Sequence, residues 1–160
     1  MNGKAMISLK NQNTIESLLL GTGREGVDRV VGYLRDSNFY TARCHTHHRF
    51  EGGLAAHSLE ACRHALANAG GIPRDSVILG TLLHDVCTAR SEAAAGIGGH
   101  GRRSVRILSD VCGLRLSGEE SDAIRLHMHG HAPQMQTNPL ARLVWRADKA
   151  SAGGRVRPEG

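Results

Sequence analysis

The stretch Thr81-Leu82-Leu83-His84-Asp85-Val86-Cys87 ends an apolar run with an adjacent imidazole and carboxylate. Two consecutive leucines indicate a buried helix, yet interiors tolerate a histidine or an aspartate only when it is paired or bound to a metal. Four other positions supply matching ligands, namely His57, His100, His127 and Asp148. We expect these side chains to converge on His84 and Asp85 and to build a metal site.

The composition favours a single helical domain. The chain has 160 residues, which is enough for one substantial core. Hydrophobic residues make up 40% and aromatic residues only 3%, so the core must consist of aliphatic side chains, which suits packed helices better than aromatic-rich strands. No apolar stretch approaches the roughly 20 residues of a membrane span, and no charged-then-apolar leader opens the chain. We therefore expect a soluble, cytoplasmic protein.

The cysteines and the net charge indicate which kinds of site and ligand to expect. The four cysteines lack CxxC spacing, which indicates free, mostly buried thiols in a reducing compartment rather than a cysteine zinc site. The net charge is +5 with histidines neutral. A basic excess suits an anionic ligand such as a phosphate, or weakly a nucleic acid, although an ordinary solvated surface explains it equally well.

Apolar periodicity and helix-end signals predict an all-α fold of about six to seven helices in one domain spanning 1–160, with a core from about 24 to 152. The segments 1–10 and 153–160 are expected to be flexible, as is the connection 91–99. The loop 41–53 is expected to be ordered and holds His45, His47 and His48. The predicted helices are 15–20 after a Thr14 cap, 24–35, 54–69, 74–87, 100–111, 118–128 after a capping box at Ser117, and 140–152.

Two candidate ligands lie on apolar helix faces. Asp148 follows Leu140 by eight residues and therefore shares the inner face that Leu140, Val144 and Ala147 define. A buried Asp–Arg pair is the competing explanation for this carboxylate. His127 follows Ile124 by three residues and should face inward, whereas His129 lies about 200° further around the helix and should face solvent.

The remaining histidines are less specific. His57 lies one turn beyond Leu54, on the packed side of its helix, and His64 lies two turns further on the same face. A lone histidine on an apolar face is more often a core residue than a ligand, and this reading applies to His64. His100 begins a helix after glycines, where an exposed terminal histidine is as plausible as a ligand.

The order His57, then His84-Asp85, then Asp148, all on helices, resembles the HD-domain superfamily of metal-dependent phosphohydrolases. Gly52-Gly53-Leu54-Ala55-Ala56-His57-Ser58-Leu59 is similar to the first-histidine segment of that family, and Leu82-Leu83-His84-Asp85 is similar to its signature. Ala147-Asp148-Lys149 is similar to the closing aspartate segment. The resemblance covers roughly Arg24 to Ser151 and implies a compact helical bundle.

The resemblance also implies a ligand set. His57, His84, Asp85 and Asp148 would bind the first divalent metal. His100 and His127 match the extra histidines of the two-metal branch, in which Asp85 would bridge to a second ion. Nitrogen and oxygen ligands without thiolates suit Mn, Fe or Ni, with Mg or Zn possible.

The leading functional hypothesis is hydrolysis of a phosphate ester through a metal-activated hydroxide held near Asp85. The ester would belong to a phosphorylated small molecule, a nucleotide or a short nucleic acid, and no membrane partner is expected. His48 or His64 would protonate the leaving group. The basic side chains expected to hold the ester are Arg102, Arg103, Arg146 and Lys149.

One position departs from the family pattern. The family commonly has a lysine three residues after the signature aspartate, near the phosphate, and here that position is Thr88. Two alternatives to the phosphohydrolase stay open. The first is an HD-type diiron oxygenase, which uses the same ligand order without that lysine. The second is a non-catalytic nucleotide-binding domain that keeps the site for structure.

Overall fold

A computed structural model describes residues 2–91 and 98–153 of the chain. The described residues are helical and include no strand, which confirms the predicted all-α fold. Most of the predicted connection 91–99 and the tail from 154 onward lie outside the described residues. No helix in the described part has the length and apolar character needed to cross a bilayer. The α-helices are α1 (Gly3–Gly21), α2 (Val27–Asp36), α3 (Gly53–Ala67), α4 (Arg74–Leu83), α5 (His100–Arg106), α6 (Gly118–Arg125) and α7 (Pro139–Ser151).

The N-terminal helix begins much earlier than the sequence pattern indicated. Asn2 caps α1 by accepting a hydrogen bond from the backbone N of Ala5 at 2.9 Å. Thr14, the predicted cap, instead lies inside the helix and donates to the carbonyl of Lys10 at 2.9 Å. The first turns of α1 bury no apolar face, so no burial periodicity marks them in the sequence.

The centre of the fold is α3, which packs against both α4 and α7. A Cβ placed on Gly80 of α4 would lie 3.0 Å from Cγ2 of Val144 on α7, so these two helices approach closely at this point. His84 follows Gly80 by four residues, and Asp148 follows Val144 by four. One helical turn beyond the close approach, both polar side chains therefore lie at the same end of the interface.

Helices α5 and α6 are fixed to each other by a close backbone contact, and α6 is fixed to the rest of the fold by a buried carboxylate. A Cβ on Gly101 would lie only 2.2 Å from the carbonyl oxygen of Arg125, so α5 rests directly on the end of α6. Ser117 and Glu120 form the predicted capping box at the start of α6. The buried Glu120 also accepts from Arg24 at 2.6 Å and from Ser76 at 2.7 Å, which ties α6 to α4 and to the segment before α2.

Candidate metal centre

Four of the predicted ligands converge in the structure. Nε2 of His57 lies 3.2 Å from Nε2 of His84, and Oδ1 of Asp148 lies 3.0 Å from the first and 3.3 Å from the second. Oδ2 of Asp85 lies 3.2 Å from Nε2 of His84 and 3.6 Å from Nε2 of His57. These four side chains form a group that could hold a metal ion. They come from α3, from the residues after α4 and from α7.

Hydrogen bonds on the far side of each ring orient both imidazoles. Nδ1 of His84 donates to the carbonyl of Thr81 at 2.6 Å. Nδ1 of His57 lies 2.9 Å from Oγ of Ser151, whose proton has two acceptors, the carbonyl of His57 and a carboxylate oxygen of Glu60. Since the serine hydroxyl donates to one of these, its oxygen accepts from His57. In the neutral form of each ring, the Nε2 atom therefore has the lone pair that a metal requires.

The spacing of the ligand atoms fits one divalent ion. Ligands about 2.0–2.2 Å from an ion and separated by about 90–109° lie roughly 2.8–3.6 Å apart. The contacts that the two imidazoles make with each other and with the two carboxylates span 3.0 to 3.6 Å. The donor set holds imidazole nitrogen and carboxylate oxygen only, which suits first-row divalent metals and Mg²⁺.

The pKa shifts of the four ligands indicate that a bound ion would replace a positive charge on an imidazole. Burial alone would lower the pKa of His84, but Asp85 and Asp148 outweigh it and raise that pKa well above its usual value. Burial opposes ionisation of Asp85 and Asp148 as well, yet the neighbouring imidazoles hold both carboxyl pKa values well below their usual range. Without a metal the group is therefore balanced by a buried imidazolium, and a bound cation takes over this charge.

The signature dipeptide lies at the end of α4 rather than inside it. The predicted helix ran to Cys87, but α4 ends at Leu83 and a 3₁₀ turn follows at Val86–Thr88. Adjacent residues on an α-helix point about 100° apart. The break changes the backbone at Asp85 to φ −108° and ψ 18°, and His84 and Asp85 thereby contribute to one site.

His127 faces the same site from α6. The helix ends at Arg125 rather than Met128, and the imidazole is 1% exposed, as its position after Ile124 predicted. Its Nδ1 donates to the carbonyl of Ile124 at 2.7 Å, and its Nε2 lies 3.1 Å from Oδ1 of Asp85. His129 is exposed, also as predicted.

His100 lies nearby but does not join the group. It is half-buried at the first position of α5, and burial is the main cause that lowers the pKa of its imidazole, against the opposing charge of Asp85. Within the residues that the structure describes, its ring makes no hydrogen bond or ion pair. The structure therefore places His100 in the electrostatic field of Asp85 without a direct contact.

A second set of imidazoles covers the outer side of His57. Nε2 of His48 lies 2.8 Å from a carboxylate oxygen of Glu60, and Nδ1 of His48 lies 2.8 Å from Nδ1 of His47. A carboxylate only accepts, so in the neutral pair His48 donates to Glu60 and accepts from His47. The ring centroid of His47 lies 4.5 Å from that of His57. His47, His48 and His57 also form a group with metal-ligand spacing.

Sequence reasoning missed three residues of this arrangement. Ser151 and Glu60 link His57 to His48, because the same Glu60 oxygen accepts from His48 and lies 3.1 Å from the Ser151 hydroxyl. His47 was assigned only to a loop. No local signal identifies these residues, since Ser151 and His57 are 94 positions apart and a single hydroxyl or carboxylate has no distinctive spacing.

Other predicted residues lie further out. His64 is exposed, because the buried face of α3 continues through Ala61 and Ala65, so the prediction of a packed histidine there was wrong. Nζ of Lys149 lies 3.9 Å from Oδ2 of Asp148. Of the predicted ester-binding arginines, Arg102 is exposed, and Arg103 and Arg146 are half-buried.

The comparison with known families agrees with this geometry. The sequence model of the HD domain matches residues 54–153, which include the four-residue group and His127. HD domains bind divalent metals and are generally metal-dependent phosphohydrolases. No curated protein and no solved structure matches the chain. The match covers more than half of the sequence and falls on the helices that build the site, and the chain therefore belongs to the HD domain family.

Proposed function

We propose that the protein hydrolyses a phosphate ester of a nucleotide or short oligonucleotide in a reaction that depends on two divalent metal ions. The observation that carries this proposal is the directed convergence of the Nε2 atoms of His57 and His84 with the carboxylates of Asp85 and Asp148. Such ions, when bound, act as Lewis acids and lower the pKa of a coordinated water.

The protein's side chains would have two roles in this reaction, which are to bind the second ion and to hold the ester. Asp85 has one oxygen facing His84 and the other facing His127, which supports a bridging role for this carboxylate. His100 and His127 would complete the second ion site. The ester would be held by Arg102 and Arg103 on α5 together with Arg146 and Lys149 on α7, through charge-assisted hydrogen bonds to its oxygens.

A histidine of the loop 41–53 is the candidate proton donor to the leaving group. His48 is half-buried beside His57, with ring centroids 5.3 Å apart, whereas His64 is exposed at the end of α3. Glu60 accepts a hydrogen bond from Nε2 of His48 and so orients that ring beside His57. His48 is therefore the preferred donor of the two.

Phosphate release from nucleotides tests this function. Protein stripped with a chelator and reloaded with Mn²⁺ or Mg²⁺ should hydrolyse the substrate, and Asp85→Asn should lower the rate by roughly 100-fold or more, since metal assistance supplies several kcal/mol. His129→Ala, an exposed histidine on the same segment as His127, is the control. Turnover that survives Asp85→Asn contradicts the proposal, as does turnover that requires iron and oxygen.

A further inference from the structure

A basic cavity lies beside the metal centre. It has a volume of about 510 Å³, within the range of small-molecule sites, and its walls come from the loop 41–53, the end of α2 and the segment after α4. Three arginines and a histidine line it, and no carboxylate does so among the described residues. These basic residues are Arg43, His45, Arg49 and Arg90.

The three arginines differ from those that stabilise the fold. Arg24 and Arg35 each contact a carboxylate at 2.6 Å, with Glu120 and Glu16 respectively. In the described part of the chain, the guanidinium groups that line the cavity make no ion pair with a carboxylate. Guanidinium groups that share one cavity without counter-charge favour an anion that several of them can contact.

The backbone of the loop holds the cavity in shape. The backbone N of Cys44 donates to the carbonyl of His48 at 3.2 Å, which closes the short turn between Arg43 and Arg49. Nη1 of Arg43 donates to the carbonyl of Arg49 at 3.3 Å. On the opposite wall, the backbone N of Arg90 donates to Oδ1 of Asn38. The arginines are therefore carried by anchored backbone, although their side chains are exposed.

Two residues of the cavity wall are connected to the ligand group through backbone hydrogen bonds. Thr88, which lines it, lies one turn after Asp85, and its backbone N donates to the carbonyl of Asp85 at 2.9 Å. Cys44 lines it from the loop side, and its backbone N donates to the carbonyl of His48, whose ring centroid lies 5.3 Å from that of His57. The wall of the cavity thus begins one turn after Asp85.

We propose that this cavity binds a second phosphate group of the substrate, next to the phosphate that reacts. The substrate is then a nucleoside polyphosphate or an oligonucleotide rather than a simple phosphate monoester. Thr88, which stands where the family commonly has a lysine, lines the cavity without a charge. The arginines of the neighbouring segments supply the positive charge instead. This role presupposes the proposed hydrolysis, since it names the part of the substrate that lies beyond the metals.

Nucleotide binding to chelator-treated protein tests the cavity without turnover. Calorimetric titrations with AMP, ADP and the dinucleotide pApA should give tighter binding for ADP or for pApA than for AMP, by about tenfold or more, because each added phosphate gains charge-assisted hydrogen bonds. Preference for ADP identifies a polyphosphate substrate, and preference for pApA identifies an oligonucleotide. Equal affinity for all three, or no binding of any, overturns the proposal.

Matched variants locate the effect. Arg49→Gln and Arg90→Gln should each abolish most of that preference and reduce the salt dependence of binding, while Arg49→Lys should retain part of it. Arg115→Gln is the control, since Arg115 is exposed and contacts Glu25 at 3.5 Å outside the cavity. Thermal melts establish that the variants fold. Unchanged preference in both glutamine variants contradicts the assignment.

Failure of the cavity and failure of the proposed hydrolysis are separable. Metal-dependent cleavage of p-nitrophenyl phosphate and of bis-p-nitrophenyl phosphate, with loss in Asp85→Asn, tests the reaction alone, because these substrates have no second phosphate. Cleavage without selective ADP or pApA binding retains the hydrolase and removes the cavity's role. Selective binding without any cleavage removes the hydrolase.

Discussion

Nε2 of His127 lies 3.1 Å from Oδ1 of Asp85, on the oxygen opposite to the one that faces His84. The two oxygens of one carboxylate are thus directed to imidazoles from different helical segments. In the neutral ring, the Nε2 lone pair of His127 is available to a metal because Nδ1 donates to the carbonyl of Ile124. This arrangement is the geometric basis for proposing that Asp85 bridges two ions.

Removal of His127 should reduce the number of bound metals. We expect His127→Ala to lower the metal content from about two equivalents to about one, since the ion bound by His57, His84 and Asp148 keeps its ligands. Elemental analysis after loading and desalting measures this. His129→Ala, with an exposed side chain, should retain the full content. Equal metal content in the two variants would exclude His127 as a ligand.

The hydroxyl of Ser151 should matter for metal affinity although it does not face the metal. It fixes the Nδ1–H tautomer of His57, so Ser151→Ala should weaken metal binding by about 10- to 100-fold. Competition against a chromophoric chelator gives the affinity.

A neighbouring serine provides the control. Ser58 is buried directly after His57, and its hydroxyl finds no hydrogen-bond partner within the described part of the chain. Ser58→Ala should therefore leave metal affinity unchanged. Equal losses in the two variants would point to general repacking of α3 rather than to orientation of the imidazole.

The metal-free protein should lose stability as the pH rises above the ordinary histidine pKa of about 6.5. In the folded state, Asp85 and Asp148 raise the pKa of His84. The protonated imidazole therefore contributes fully to the free energy of unfolding below its unfolded pKa near 6.5, and this contribution disappears as the pH rises through its folded pKa. The lowered carboxyl pKa values of Asp85 and Asp148 act oppositely, and their contribution is lost only below about pH 4.

Thermal melts in the presence of a chelator measure this dependence. The melting midpoint should fall as the pH rises above about 6.5, and saturating Mn²⁺ should remove or reverse the fall, because metal binding requires neutral imidazole. In Asp85→Asn the fall should be smaller. A midpoint that rises with pH in the metal-free protein would contradict the charge balance described for the site.

A methyl group at position 101 should separate two helices. The Cβ of Gly101→Ala would lie 2.2 Å from the carbonyl oxygen of Arg125, so we expect a loss of about 1–3 kcal/mol in the free energy of unfolding. Urea denaturation measures it. Gly118→Ala is the matched control, since nothing lies within 4 Å of its added Cβ, and it should be neutral or slightly stabilising. Equal effects of the two substitutions would show that α5 adjusts without cost.

Periodicity was sufficient for the residues whose burial follows a helix face. Asp148 is buried with Leu140, Val144 and Ala147, and His127 is buried with Ile124, as their spacing predicted. The order of histidines and aspartates was also sufficient to predict the family. The two burial predictions are local, because helix geometry alone determines which side chains share a face.

Polar contacts between residues that are distant in the sequence could not be predicted from it. The chain of hydrogen bonds from His57 through Ser151 and Glu60 to His48 depends on how α3, α7 and the loop 41–53 pack together. No spacing of residues in the sequence predicts this packing. The end of α4 at Leu83 was missed for a similar reason. The apolar pattern continues through Val86, which is buried in a 3₁₀ turn rather than in the helix.

The contact between Gly101 and Arg125 constrains evolution on one side only. The group that approaches position 101 is a backbone carbonyl, which every residue at position 125 would present equally. We therefore expect related chains to favour glycine at position 101 and to vary at position 125, without linked changes at the two positions. A contact of this kind would leave no covariation signal, and a preference for glycine at one position would be its only trace.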